Sequence, residues 1–98
     1  MVSLQRTLLF LAVIVLAACA PSPGKSIFER ERCIECHSFK GRGGAAGPDL
    51  TAVHKRHDDA WIRDKLRMPQ AVLPHSAMPS YRHLSDEEMQ ALIDYLKE

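Results

Sequence analysis

The chain lacks appreciable net charge, strand patterning, repeats and any apolar run long enough to cross a bilayer, and each lack removes a class of protein. Lys and Arg total 13 against 12 Asp and Glu, a formal charge of +1. Removing the segment that carries Arg6 balances the two signs, so there is no basic field to hold nucleic acid. No apolar-polar alternation marks a strand and no internal repeat is present, which points to an all-α fold. The longest apolar run, residues 8–18, falls short of the roughly 20 residues that span hydrocarbon. Only three cysteines occur in the 98 residues. No second cysteine pair follows the first, and His54 and His57 lead to no further cysteine, which excludes a finger-like zinc site. One small domain is expected, with a core that is marginal on its own.

What the chain does have is Cys33-Ile34-Glu35-Cys36-His37, two thiols and an imidazole within five residues. On a helical turn this spacing lets both sulfurs reach the two vinyl groups of one haem while His37 comes under the iron as an axial ligand. A thioredoxin-type redox pair would need a strand-helix-strand context with β-branched flanks, and none is present. A structural disulfide is sterically poor between cysteines so close on a helix. The motif therefore predicts one covalently attached haem c, whose large apolar ring would supply the core that the polypeptide lacks.

Residues 1–18 read as a secretory leader, with Arg6 in a polar head and small residues before Cys19. Leu16-Ala17-Ala18-Cys19 resembles the bacterial lipoprotein signal, in which the cysteine becomes the first mature residue and carries lipid. The odd cysteine fits that reading, since Cys33 and Cys36 are committed to haem. Several acyl chains would hold the protein at a membrane while its domain stays in water. Residues 19–24, rich in proline, read as a tether, followed by a domain over 25–98. Ser26 and Glu29 are spaced as a capping box for the first helix, ahead of Ile27 and Phe28.

After His37 comes Gly41-Arg42-Gly43-Gly44-Ala45-Ala46-Gly47-Pro48-Asp49-Leu50. With no strand before it, this is a poor nucleotide loop. It is better read as backbone laid close against a flat cofactor. Pro48 offers only a carbonyl, a suitable acceptor for the second nitrogen of an axial histidine. Leu50 would form an apolar wall. From Asp58 and Asp59 the pattern turns helical through Trp61, Ile62 and Leu66 until Pro69. Trp61 is read as core, with a haem propionate as one candidate acceptor for its indole N–H. The basic run His54-Lys55-Arg56-His57 is a solvated face, or a contact for a propionate or partner. Residues 70–81 hold Pro74 and Pro79 and should form an extended loop containing Met78. Ser85-Asp86-Glu87-Glu88 is a second capping box, and Met89, Leu92, Ile93 and Leu96 make one apolar stripe. That last helix is expected to cross the helix around Phe28.

Over residues 24–96 the chain resembles a small bacterial class I cytochrome c. The resemblance rests on Gly24 and Phe28 before Cys33-x-x-Cys36-His37, then Gly47-Pro48-Asp49-Leu50, Trp61, Met78-Pro79 and Leu92-x-x-Tyr95-Leu96. It implies three main helices around one six-coordinate haem and one-electron transfer in a bacterial envelope. Pro48 and Leu50 carry over as haem-packing positions, and Trp61 as a neighbour of a propionate. The absence of a second haem motif argues against the dihaem peroxidases. His37 and Met78 are the expected axial pair. Met68 also precedes a proline and competes, as does His75; Met89, His54, His57 and His83 are further candidates. The extended, proline-braced setting of Met78 favours it, whereas Met89 lies on a helical stripe where methionine is usually packing. The expected partners are redox proteins of a respiratory or oxidising chain, reached from the periplasmic side, with the choice of inner or outer membrane open. No small-molecule substrate and no catalytic residue are expected. The alternatives are a subunit that passes electrons into or out of an oxidase, dehydrogenase or sulfur-oxidising complex, and a haem sensor.

Overall fold

In the computed structural model, residues 22–98 are described; the leader and Cys19 lie outside them. The first helix, α1 (Pro23–Arg30), starts earlier than the Ser26–Glu29 spacing suggested, because Pro23 sits at its first position and Ser22 caps it, accepting from the Lys25 N–H at 3.3 Å. A proline at that position gives up an N–H that has no helical partner and brings a backbone angle already suited to a helix. Pro23 and Gly24, assigned from the sequence to the tether, are thus helical, and Ser26 is an exposed residue inside the helix.

The last helix, α5 (Asp86–Leu96), begins at the expected capping box, with Ser85 and Glu88 each bonded to the other's backbone N–H. Its stripe of Met89, Leu92, Ile93 and Leu96 is fully buried, each such side chain stabilising the fold by about 1.5–3 kcal/mol. Helices α1 and α5 cross as expected. Gly24 marks the closest approach: a Cβ there would lie 2.1 Å from the Ala91 carbonyl oxygen and 2.6 Å from Tyr95 Cβ. Beside the crossing, the rings of Phe28, Phe39 and Tyr95 meet in tilted pairs at 5.4 and 5.5 Å, a favoured aromatic geometry.

Between these two helices the chain makes the one-turn helix α2 (Cys33–Cys36) and a minimal hairpin of β1 (Ser38–Phe39) with β2 (Arg42–Gly43). Lys40 and Gly41 both take positive φ in its turn, at 52° and 80°, as a two-residue hairpin loop requires. A 3-10 turn at Val53–Lys55 leads to α3 (Asp59–Arg67), capped by Asp58, whose carboxylate accepts from the Trp61 N–H at 2.8 Å. Ile62 and Leu66 carry α3 onto the core. Pro69 does end α3, and it also opens a further short helix, α4 (Pro69–Val72), as its first residue. The loop expected over 70–81 is therefore shorter by one helical turn. The fold is mainly helical, and the expected all-α class holds.

Candidate functional site

One side of the site is built almost wholly from backbone. Arg32 takes a left-handed conformation, φ 59°, and the chain then winds into α2, closed by the His37 N–H on the Cys33 carbonyl at 2.9 Å. The loop that follows folds back over this turn. Gly44 N–H donates to Ile34 O at 2.9 Å, Gly47 N–H to Cys36 O at 2.6 Å, and Leu50 N–H to Ser38 O at 2.8 Å. Pro48 then offers its carbonyl to His37 Nδ1 at 2.8 Å. That bond places the imidazole proton on Nδ1 and leaves the Nε2 lone pair free to ligate. Gly47 lies flat against the same ring, where a Cβ would come within 2.6 Å of Cε1 and 2.8 Å of Nδ1. Beyond Pro48, Asp49 accepts from the Thr51 N–H at 3.0 Å and its hydroxyl at 2.7 Å, and Arg56 donates to the carbonyls of Asp49 and Thr51. These Thr51 bonds hold the Asp49 carboxyl below its ordinary value.

Cys33 and Cys36 are both free thiols. Cys33 is half-buried, and burial, reinforced by the nearby Glu31 charge, pushes its thiol up to about 11. Cys36 is exposed at the rim.

The thiols and imidazole open onto a cavity of about 1030 Å³ with mostly apolar walls. Cys33, Cys36, His37, Pro48, Leu50, Trp61 and Met78, the cofactor-facing residues read from the sequence, all line it. The competing ligands separate by position. Met68, at the junction of α3 and α4, is 47% exposed and Met89 is fully buried in the core; neither lines the cavity. His83 is on the surface, its Nε2 bonded to Glu31 Oε1 at 3.0 Å. His54 does not line the cavity, and its Nδ1 is buried without a partner among the described residues. His57 and His75 do reach the wall. His57 lies parallel to Trp61, with ring centroids 3.5 Å apart and an interplanar angle of 8°. Trp61 is thus half-buried against the core with a stacked imidazole, a partner that nothing in the sequence announced.

Another wall is a loop without regular structure, and sequence reasoning missed what holds it. The Tyr81 N–H donates to Leu66 O at 2.7 Å and the Ser80 hydroxyl to Arg67 O at 2.6 Å, tying the loop to α3. Nearer Met78, the ties come from the side chains of Lys65, Gln70 and Ser76. No residue-type signal marks such contacts before the path of the loop is known.

The arrangement suits a haem. The cavity is at the upper end of the roughly 300–1,000 Å³ usual for cofactor pockets, the thiol pair sits on one turn at its edge, and a histidine of fixed tautomer faces into it. Residues 21–98 match the family described as Cytochrome c. The chain belongs to the cytochrome c family. It is a class I cytochrome c domain, and its cofactor is covalently bound haem c. Among its relatives, cytochrome c oxidase subunit 2 of Alkalihalophilus pseudofirmus is 38% identical over 86 residues, 76% of this chain and 24% of that protein. Matching subunits of nitric oxide reductase from Halomonas halodenitrificans and Paracoccus denitrificans are each 36% identical, over 76% and 74% of this cytochrome c. The chain spans about half the length of those two proteins, 55% and 54%. No helix of the described residues is long and apolar enough to cross a membrane.

Proposed function

We propose that this cytochrome c is a one-electron carrier of the bacterial envelope, with haem held through thioethers by Cys33 and Cys36 and ligated by His37 and Met78. The supporting observation is that all four side chains line one apolar cavity, with His37 oriented by Pro48. Each thiol would add its S–H across a vinyl group of the haem, an addition that needs no oxidant. The bound haem iron supplies a one-electron couple. The polypeptide would make no bond to a substrate; His37 and Met78 would hold the iron in fixed positions, so that little would rearrange on electron exchange, and the apolar walls would keep water from most of the ring. Pro48, Leu50 and Trp61, which line the cavity, would pack against the haem, and the Trp61 indole N–H would be available to a propionate. Cys36, Ala46 and the half-exposed Leu73 leave the rim open to a redox partner.

The test of the ligand set is the weak near-infrared band of ferric iron bound to methionine sulfur. It is expected in the wild type, lost in Met78→Ala and retained in Met68→Ala; the reverse pattern sinks the assignment. At the N-terminal side, Cys19 carries the lipid that keeps the domain at a membrane facing the periplasm. Cys19→Ser is expected to release or misprocess the protein with haem spectra unchanged, and an unmodified mature thiol would refute lipidation.

A second reading is favoured by the relatives, which are subunits of an oxidase and of nitric oxide reductases. In it the same domain passes electrons as a module of a larger terminal reductase or oxidase. Co-purification with such a complex from detergent-solubilised membranes supports this reading, and recovery of the cytochrome alone supports the free carrier.

A further inference from the structure

The loop that brings Met78 to the cavity has no regular structure around it, so something outside its own backbone has to set where the sulfur lies. The amide nitrogen of Gln70, on the single turn of α4, donates to the Ser76 carbonyl at 2.9 Å and to the Met78 carbonyl at 3.0 Å. Two carbonyl acceptors use both hydrogens of one amide nitrogen, and the flipped amide would set oxygen against oxygen, so the chemistry fixes the orientation. Ser76 completes the clamp: its hydroxyl oxygen accepts from the Met78 N–H at 3.2 Å and from Lys65 Nζ at 2.8 Å. Met78 is therefore gripped at both its N–H and its carbonyl, while its side chain lines the cavity.

The geometry points to Gln70 as the positioning residue for the distal ligand, acting with Ser76 to hold Met78 toward the iron and to set how often that sulfur leaves. This rests on Met78 being the ligand, as proposed above. Gln70 is exposed and belongs to no core, so its loss acts on the loop and not on the fold. An added ligand can bind the iron only in molecules whose sulfur has left, so its apparent affinity reports the open fraction.

The experiment is an imidazole titration of the ferric holoprotein in wild type, Gln70→Met, Gln70→Glu, Ser76→Ala and Met78→Ala, with thermal unfolding measured alongside. Losing two hydrogen bonds is expected to tighten apparent imidazole binding by about five- to tenfold in Gln70→Met, with the unfolding midpoint falling by no more than that same change in the closed state accounts for. Gln70→Glu, with a carboxylate facing two carbonyls, should exceed that above the pH at which it ionises, and it decides the matter if Gln70→Met fails to take up haem. Ser76→Ala should tighten binding as well. If Met78→Ala binds imidazole no better than wild type, Met78 is not the ligand and the ligand assignment falls. If Met78→Ala binds more tightly but neither Gln70 variant does, the assignment stands and the positioning role is overturned. A lower unfolding midpoint with unchanged imidazole affinity overturns it too.

Discussion

The two walls of the cavity are held by different means. On the His37 side, four backbone-directed bonds between residues 34 and 50 close a short stretch of chain on itself: three N–H groups meet carbonyls, and the imidazole meets the Pro48 carbonyl. On the Met78 side, backbone bonds hold only the ends of the loop, Ser76 N–H to Leu73 O and Tyr81 N–H to Leu66 O; around Met78 it depends on the side chains of Lys65, Gln70 and Ser76, and the Ser80 hydroxyl ties back to Arg67 O. The backbone bonds of the His37 wall ask only that Gly44 and Gly47 carry no side chain, whereas a clamp made of a glutamine, a serine and a lysine can be removed one substitution at a time. His37 is thus part of the scaffold, and Met78, proposed as the second ligand, is a separately adjustable part.

Replacement of cysteines and of methionine should give the largest contrast. Cys33→Ala with Cys36→Ala is expected to abolish haem that survives acid-acetone extraction and to leave an unstable chain, because the remaining core is small. Met78→Ala should keep covalent haem at wild-type yield. Loss of covalent haem in Met78→Ala would erase the distinction between the walls.

A side chain at Gly47 comes next. Gly47→Val pushes carbon into the His37 ring, where even a Cβ falls at 2.6 Å, and overpacking of this kind costs about 1–3 kcal/mol. Urea unfolding of the holoprotein should register that loss together with a disturbed haem spectrum. Wild-type stability would mean that the scaffold gives way easily.

Amide hydrogen exchange offers a smaller, local measure. Gly44, Gly47 and Leu50 donate to carbonyls within the His37 wall, and they should exchange roughly tenfold or more slowly than Ala77 and Ser80 in the distal loop. Equal protection would contradict the separation.

The smallest expected effect is that of acid. The Thr51 bonds hold Asp49 below its ordinary 3.8. Its contribution is therefore complete above that value and is lost as pH falls through the lower folded one. The His37 wall should loosen slightly below about pH 4, a slope in stability against pH that Asp49→Asn should flatten.

The same contrast explains what was legible in the residues alone. The haem motif, the Ser85 capping box and the stripe from Met89 to Leu96 are local patterns, and local hydrogen bonding or helical periodicity decides them. The start of α1 was misplaced because Ser22 and Ser26 both have the chemistry of a cap, and the choice turned on Pro23 accepting the first helical position. Pro69 was legible as a stop and not as a start, since one fixed angle serves both. Met68 and Met78 each precede a proline, and what separates them is position: one sits at a helix junction facing solvent, the other on the cavity wall. Gln70, Ser76 and the His57–Trp61 stack were invisible because such contacts depend on where distant segments come to lie.

The helix crossing at Gly24 also sets a sequence of events in time. Arg30 and Glu88, which bond beside the crossing at 2.8 Å, are 58 positions apart. A contact of that span pays a large closure entropy and forms late compared with helices and turns. As the chain emerges, α1 has nothing to press Gly24 against until Ala91 follows. Through that interval Cys33 and Cys36 lie on a chain whose first and last helices have not yet met.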